Sequence, residues 1–261
     1  MKKLKWILPI LVIVFCSLGF MIAPNNPYKV DISNRFASFN AGYPLGTDQF
    51  GRCVFSRILY GGQVTLGIVL VGAGIVFLLG TVLGLILGRI STGQSLFFNS
   101  LLDAITAIPP LAYLIIFVGI WGNSIPTMLV ALTVSLILRM IKLVKTQTEI
   151  ELGKAYVLCA ISSGASKPRI LFVHILPNIL RSLIHFLCLS CAEMIMSISA
   201  FSFIGLKLGD DVIDWGTMLS EGRAVYSAHP ALLYLPILSI FICTLAFNLI
   251  ARQTEGGEEN A

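Results

Sequence analysis

Three residues in the second half of the chain have the types and spacing to meet a soft metal. His185, Cys188 and Cys191 form the pattern H-x-x-C-x-x-C. Imidazole and thiolate are the ligands such an ion would want. On a single helix, however, steps of three residues fan the side chains over an arc of about 120°. They cannot converge unaided, and small residues packing at a helix interface are the alternative reading. Two positions further on, Glu193 lies in an apolar run. A carboxylate there is costly unless it faces a wet cavity or a polar partner. Glu193, with Asp103 and His185, therefore forms a candidate translocation-path set. A buried hydrogen-bonded Glu193 and a snorkelling or capping Asp103 are the alternatives. Asp210, Asp211, Asp214 and Glu221 crowd one polar segment, where they could meet a cation or a partner protein, or form a solvated face. Asp48, Arg52 and Arg57 share another and could form internal ion pairs. No converged nucleophile, base and oxyanion donor is evident, which argues against an enzyme.

The elements that must position these residues are membrane helices. The 261 residues are 56% hydrophobic and only 12% charged, with a mean hydropathy of +0.89. Soluble domains carry about 25% charged residues, so there is too little polar surface to coat a soluble globule. The net charge of +5 does not point to nucleic acid, because the cations flank apolar runs, as in membrane proteins. Most of the six cysteines, Cys16, Cys53, Cys159, Cys188, Cys191 and Cys243, fall in apolar runs and do not suggest a disulfide framework. The start, "MKKLKWILPILVIVFCSLGFMIAPNNP", resembles a signal peptide, but its apolar run is long and lacks a small-x-small cleavage site. Residues 1–23 are therefore expected to be a retained signal anchor.

A helix needs about 20 apolar residues to cross a bilayer. Six runs qualify or come close: Leu4–Ile22, Val64–Gly88, Leu96–Trp121, Ile125–Met140, Ile179–Phe201 and Ala231–Ile250. With both termini cytoplasmic, twelve Lys and Arg fall on the inner side and six on the outer, the bias that orients membrane proteins. Arg139, Lys142 and Lys145 count among the inner twelve. The longest inner segment is then about 141–178. Trp215 is expected at the membrane interface. The tail "TEGGEENA" is expected to be disordered.

The inner segment is too long for a plain connector. In "ELGKAYVLCAISSGAS", Ile150, Val157, Ala160 and Ile161 approach helical spacing. A short amphipathic helix there could lie on lipid or dock in a partner's groove. Gly164 suits a turn with positive φ, and Pro177 suits the first turn of the fifth span.

These residues resemble the cytoplasmic signature of permease subunits of ATP-binding-cassette importers, in the dipeptide, oligopeptide and nickel branch. Ala160, Gly164, Ala165, Ser166, Arg169, Ile170, His174, Ile175, Leu176, Pro177 and Asn178 carry the likeness. "YPLGTDQFGRCVFSRILYG", "LLDAITAIPPL" and "FSFIGLKLGDDVIDWGTMLSEGR" resemble further blocks of that branch, in order. The resemblance implies an all-α, polytopic protein of about six spans with the type I importer permease fold over residues 24–261. It implies a bacterial inner-membrane location and a second homologous permease subunit. Two ATPase subunits that hold ATP and Mg, an extracytoplasmic solute-binding protein and surrounding lipid complete the set. The chain has no Gly-x-x-x-x-Gly-Lys-Ser/Thr loop and is expected to bind no cofactor itself. Tyr156, Leu158, Cys159, Ala160, Gly164, Ala165 and Ser166 would contact an ATPase, and Pro177 and Asn178 would shape the loop. Asp48, Arg52, Asp210, Asp211, Asp214 and Trp215 would lie in outer loops.

Some positions depart from the branch. Leu158 and Cys159 stand where Glu-Ala is usual, Tyr43 and Cys53 replace a common His and Asp, and the C-terminal Gly-Asp and Leu-Arg-Asp run is missing. The loss of the Glu resembles nickel-type permeases and tilts the expected cargo toward nickel, cobalt, zinc or a metal chelate, with peptides as the alternative. A stand-alone secondary transporter or channel would show paired broken helices in two related halves, and no such pairing is visible.

Overall fold

The computed structural model describes residues 2–90, 96–209 and 211–255. Asp210 and residues 256–261, most of the expected disordered tail, lie outside the described residues. The described chain is helical, with no strand and two isolated bridges, Asn40 to Tyr43 and Thr47 to Cys53.

The helices are α1 (Lys2–Leu18), α2 (Val54–Ile90), α3 (Leu96–Thr106), α4 (Pro110–Trp121), α5 (Ile125–Leu152), α6 (Ala155–Ser162), the single turn α7 (Lys167–Arg169), α8 (Leu176–Phe203), α9 (Trp215–Ala224) and α10 (Ala231–Glu255). A π-helical turn, Ile170–Ile175, joins α7 to α8 without a break. Four helical segments are long and apolar enough to cross a membrane: Val54–Arg89, Ile125–Leu152, Lys167–Phe203 and Ala231–Thr254. Two shorter apolar helices, Ile7–Ile22 and Pro110–Trp121, complete the six expected runs.

Several element bounds differ from the sequence reading: the second run begins at Val54 rather than Val64, which puts Arg57 inside α2. The third run is broken, because a residue before proline disfavours helical geometry and Pro109 precedes Pro110. Pro109 is extended, at φ −67° and ψ 148°, and α4 starts immediately after it. The fourth run does not stop at Met140: α5 continues to Leu152. The fifth helical segment starts earlier, at Lys167 with Pro168 in its first turn, and Pro177 stands in the first turn of α8 proper, as expected. The expected inner loop of about 141–178 is therefore mostly helix, with only α6 and its flanking turns standing apart. Thr254 and Glu255, the start of the expected tail, end α10.

α2 and α5 form the closest helix pair. In lipid, helix association rests on van der Waals contact, so small residues that admit a neighbouring backbone dominate. Gly84 and Gly88 of α2 are such residues. A Cβ on Gly84 would lie 2.5 Å from the Val144 Cβ, and one on Gly88 would lie 2.8 Å from the Lys145 carbonyl oxygen. α8 closes the bundle with buried Ile179, Leu183, Met194, Ile195, Ile198 and Phe201.

α9 sits across the end of the bundle opposite α6. Asp214 caps it, accepting from the backbone amides of Gly216 (2.8 Å) and Thr217 (3.3 Å) and from the Thr217 hydroxyl. Burial pushes the Asp214 carboxyl up against these hydrogen bonds. Trp215, expected at the membrane interface, is packed inside the chain, and its indole N–H donates to the Ile58 carbonyl at 2.9 Å. A buried indole is tolerated when its one donor is satisfied.

Candidate functional site

Two polar assemblies stand out on α5, one at its C-terminal end and one near its middle. At the end, α6 hangs between Gly153 and Gly164. Val157 is buried and Ala160 half-buried, while Leu158, Cys159 and Ile161 are exposed. Ile161 thus faces outward although it is spaced with buried Val157, and Ile150 belongs to α5. Gly164 has φ 77°, a conformation that side chains disfavour, and it turns the chain toward α7. Ala165 is half-buried and Ser166 exposed. The Ala165 amide donates to the Ala160 carbonyl at 3.1 Å.

A hydrogen-bonded brace fixes α6 to both neighbours. Glu151, at the end of α5, accepts from Lys154 (2.7 Å) and from the Tyr156 hydroxyl (2.5 Å). The Asn178 amide donates to the same hydroxyl (2.9 Å) and to the His174 carbonyl (2.8 Å). Burial and then the Glu151 carboxylate push Tyr156 above the ordinary phenol range, so the hydroxyl keeps the proton it donates. Pro177 has no N–H for a helical bond, and the turn just before it widens to the π form. Tyr156→Phe is expected to loosen α6 by about 1–2 kcal/mol, a charged hydrogen bond discounted for partial exposure. Hydrogen exchange should quicken across residues 155–162 and stay unchanged in α2.

Near the middle of α5, Arg139 meets Glu193 of α8. One guanidinium nitrogen lies 2.9 and 3.0 Å from the two carboxylate oxygens. A second reaches the Ile108 carbonyl beside the α3–α4 break at 3.4 Å. The pair is partly open, with side chains 24% and 40% exposed. Nearby, Lys142 pairs with Asp103 at 2.5 Å, so Asp103 is an ion-pair partner rather than a cap. Arg139, Lys142 and Lys145, counted as loop cations from the sequence, all lie within α5. The Arg139 partner of Glu193 was missed because the fourth span was ended near it. An acidic residue inside a span should have prompted a search for a base in another.

The other candidates separate. The His185 ring nitrogen Nδ1 lies 2.9 Å from the Ala251 carbonyl oxygen. Cys191 is buried and Cys188 half-buried, and neither joins a cluster. Among the described residues, no group of three or more His, Cys, Asp or Glu could hold a metal ion. The acidic cluster also dissolves. Asp211 is exposed, Asp214 is a helix cap, and Glu221 joins Asp48, Arg52 and Arg57 in a separate ionic network. Beside it, Phe36 stacks on His229 with ring centroids 3.9 Å apart.

Residues 80–255, which span α6, its brace and both ion-pair helices, match the family described as binding-protein-dependent transport system inner membrane component. The chain belongs to this family. Dipeptide transport system permease protein DppC of Alkalihalophilus pseudofirmus is 31% identical to this permease over 92% of it and 78% of the relative. Glutathione transport system permease protein GsiD of Pectobacterium atrosepticum is 30% identical over 92% and 81%. Peptide transport system permease protein SapC of Escherichia coli is 34% identical over 79% and 70%. In the solved structure of the inward-facing MetNI methionine ABC transporter, one chain superposes with a TM-score of 0.56 at 17% identity, covering 74% of this permease and 94% of that chain. The permease has the type I importer fold and is an inner-membrane component. The tilt toward a metal cargo, drawn from Leu158 and Cys159, finds no support: none of these three relatives is named for a metal, and the H-x-x-C-x-x-C residues do not converge.

Proposed function

We propose that this permease is one of two subunits lining the path of an ATP-driven importer for short peptides. The observation that carries the reading is α6. It is a short helix that presents Leu158 and Ile161 outward at the end of the bundle bearing Lys154, Lys167 and Arg169. An exposed apolar helix face braced to two long helices suits docking in a partner's groove. On this reading two ATPase subunits receive α6 and its counterpart, with ATP and Mg bound on them. Their closure pushes on α5 and on the segment from α7 to α8, and rigid-body tilting alternates the path between the two sides. A solute-binding protein delivers cargo at the α9 end. On this reading α6 and both termini lie in the cytoplasm, which the excess of cations at the α6 end supports, with α1 as the retained anchor. Peptide cargo is supported by the relatives named for dipeptides, glutathione and peptides.

Ala160→Glu and Gly164→Val test the docking. The first forces a charge onto the half-buried seam, and the second places a β-branched residue at φ 77°. Both are expected to reduce ATPase co-purification at least fivefold while membrane insertion is unchanged. Wild-type ATPase recovery in both variants, or transport in vesicles lacking any ATPase, would defeat the reading. Uptake of labelled dipeptide beside radioactive nickel decides the cargo, with peptide uptake expected.

A further inference from the structure

One ion pair joins α5 to α8 and the other joins α5 to α3, and the face they share is ill-suited to lipid. Glu193 is 40% exposed and Asp103 56%, in a chain whose neighbours along these helices are apolar. Ionised groups at membrane depth face a wet cavity or polar neighbours. The break at Pro109 adds the Ile108 carbonyl to the same spot. Such interruptions with exposed backbone are tolerated in membranes where they line a cavity. A groove of about 230 Å³ between α5, α8 and the end of α10 is lined by Leu143, Arg181, Ser182, His185, Phe186, Leu189 and Thr254. Leu143 lies four residues after Arg139, and Leu189 four before Glu193, so the groove continues the paired face toward α6.

The charge of the two pairs is balanced, while the adjoining groove adds the cation Arg181. Arg139 and Lys142 oppose Glu193 and Asp103. A bare cation is repelled by the first two as much as it is drawn by the second two. A ligand with one positive and one negative end can instead exchange with a pair, replacing each charge-assisted hydrogen bond by another of the same kind. Like-for-like exchange costs little in either direction, which transport requires, because a site that binds tightly also traps. The two ends of an extended dipeptide lie within about 7 Å, a gap that the long Arg and Glu side chains can open.

Resting on the peptide reading above, we propose that Arg139 and Glu193 part during transit to take the two termini of a zwitterionic short peptide. Arg139 receives the carboxylate and Glu193 the ammonium group. They act as specificity-determining residues of the path, separate from selection by a binding protein.

The test uses the complete transporter, with partner permease, ATPases and binding protein, in proteoliposomes. The probes are L-alanyl-L-alanine, its N-acetyl derivative and its C-terminal amide. Each is supplied at a concentration that saturates the binding protein in a separate titration. Arg139→Gln is expected to slow the free dipeptide at least tenfold and the amide less than threefold. Glu193→Gln is expected to slow the free dipeptide at least tenfold and the N-acetyl form less than threefold. Equal slowing of all three probes, or no slowing, overturns the proposal and leaves the peptide reading standing. If the wild-type transporter accumulates none of the probes, the peptide reading falls and the proposal with it. Should either Gln variant fail to assemble, Arg139→Lys keeps the charge while changing the two-oxygen contact. It is expected to hold all three rates within threefold of wild type, and a uniform loss would assign the pair to packing alone.

Discussion

Gly88→Leu is expected to leave almost no assembled transporter in the membrane. A Cβ at this position meets the Lys145 carbonyl oxygen and the Thr148 Cβ, each at 2.8 Å, and the Lys145 Cα at 3.1 Å. Two of these atoms are α5 backbone and cannot rotate away, so the helices must separate. Overpacking a rigid site costs about 1–3 kcal/mol even for modest additions, and a whole leucine demands more. Gly84→Ala should show the same fault in smaller measure, because its Cβ meets the Val144 Cβ at 2.5 Å. Val144→Ala should not rescue it, since alanine keeps the colliding atom. Gly74 supplies the control, with open space around an added Cβ. Gly74→Leu should yield wild-type amounts of complex on size-exclusion chromatography. Equal yields for Gly74→Leu and Gly88→Leu would refute the close-approach argument.

Asp48→Ala is expected to be the most damaging single change at the end opposite α6. The Asp48 carboxylate accepts from the Phe50 amide (2.8 Å), the Arg52 amide (3.0 Å), the Arg52 Nε (2.7 Å) and the Arg57 guanidinium (2.5 Å). Arg57 is buried and, among the described residues, keeps Glu221 at 2.6 Å as its side-chain partner once Asp48 is gone. Breaking a buried pair by removing one partner costs about 3–5 kcal/mol, and Glu221 holds the loss to the lower end of that range. Asp48→Asn keeps an oxygen for the two amides and should cost less. The double change Asp48→Leu with Arg57→Met removes both charges and should melt closer to wild type than Asp48→Ala alone. A double variant less stable than Asp48→Ala would show that the network stabilises by charge rather than by satisfying its own burial.

The long apolar runs made α2, α5, α8 and α10 legible, because a membrane-spanning helix announces itself by length and hydropathy. Their ends were not legible. Charged residues were read as boundaries, yet Arg139 and Lys142 sit inside α5 because other elements bring Glu193 and Asp103 to them. Pairings across the chain, such as Arg57 with Glu221 at a separation of 164 residues, leave no mark in local spacing. Trp215 was misplaced for a related reason: an amphipathic ring suits an interface equally well until a carbonyl, here that of Ile58, is found for its N–H. The α6 region was legible through Gly164 and the apolar spacing, but its brace was not. Nothing in the local spacing of Glu151, three residues before Lys154, marks it as the acceptor of that brace.

The π turn at Ile170–Ile175 changes how α8 must be counted. A π turn holds about one residue more than the α turn it replaces, and one residue is a rotation of about 100°. Side chains from Lys167 to Arg169 are therefore out of phase with those after Leu176, although the backbone runs on without a gap. The buried stripe of Leu183 and Ile179 runs on through Ile175 and Leu171, so the slip is felt only beyond the π turn, where Lys167, Pro168 and Arg169 stand exposed. The phase slip falls where the helix passes α6. The segment beside α6 thus keeps Ile170, Leu171 and Ile175 in the core of the bundle while the turn before it, Lys167–Arg169, has its own angular setting.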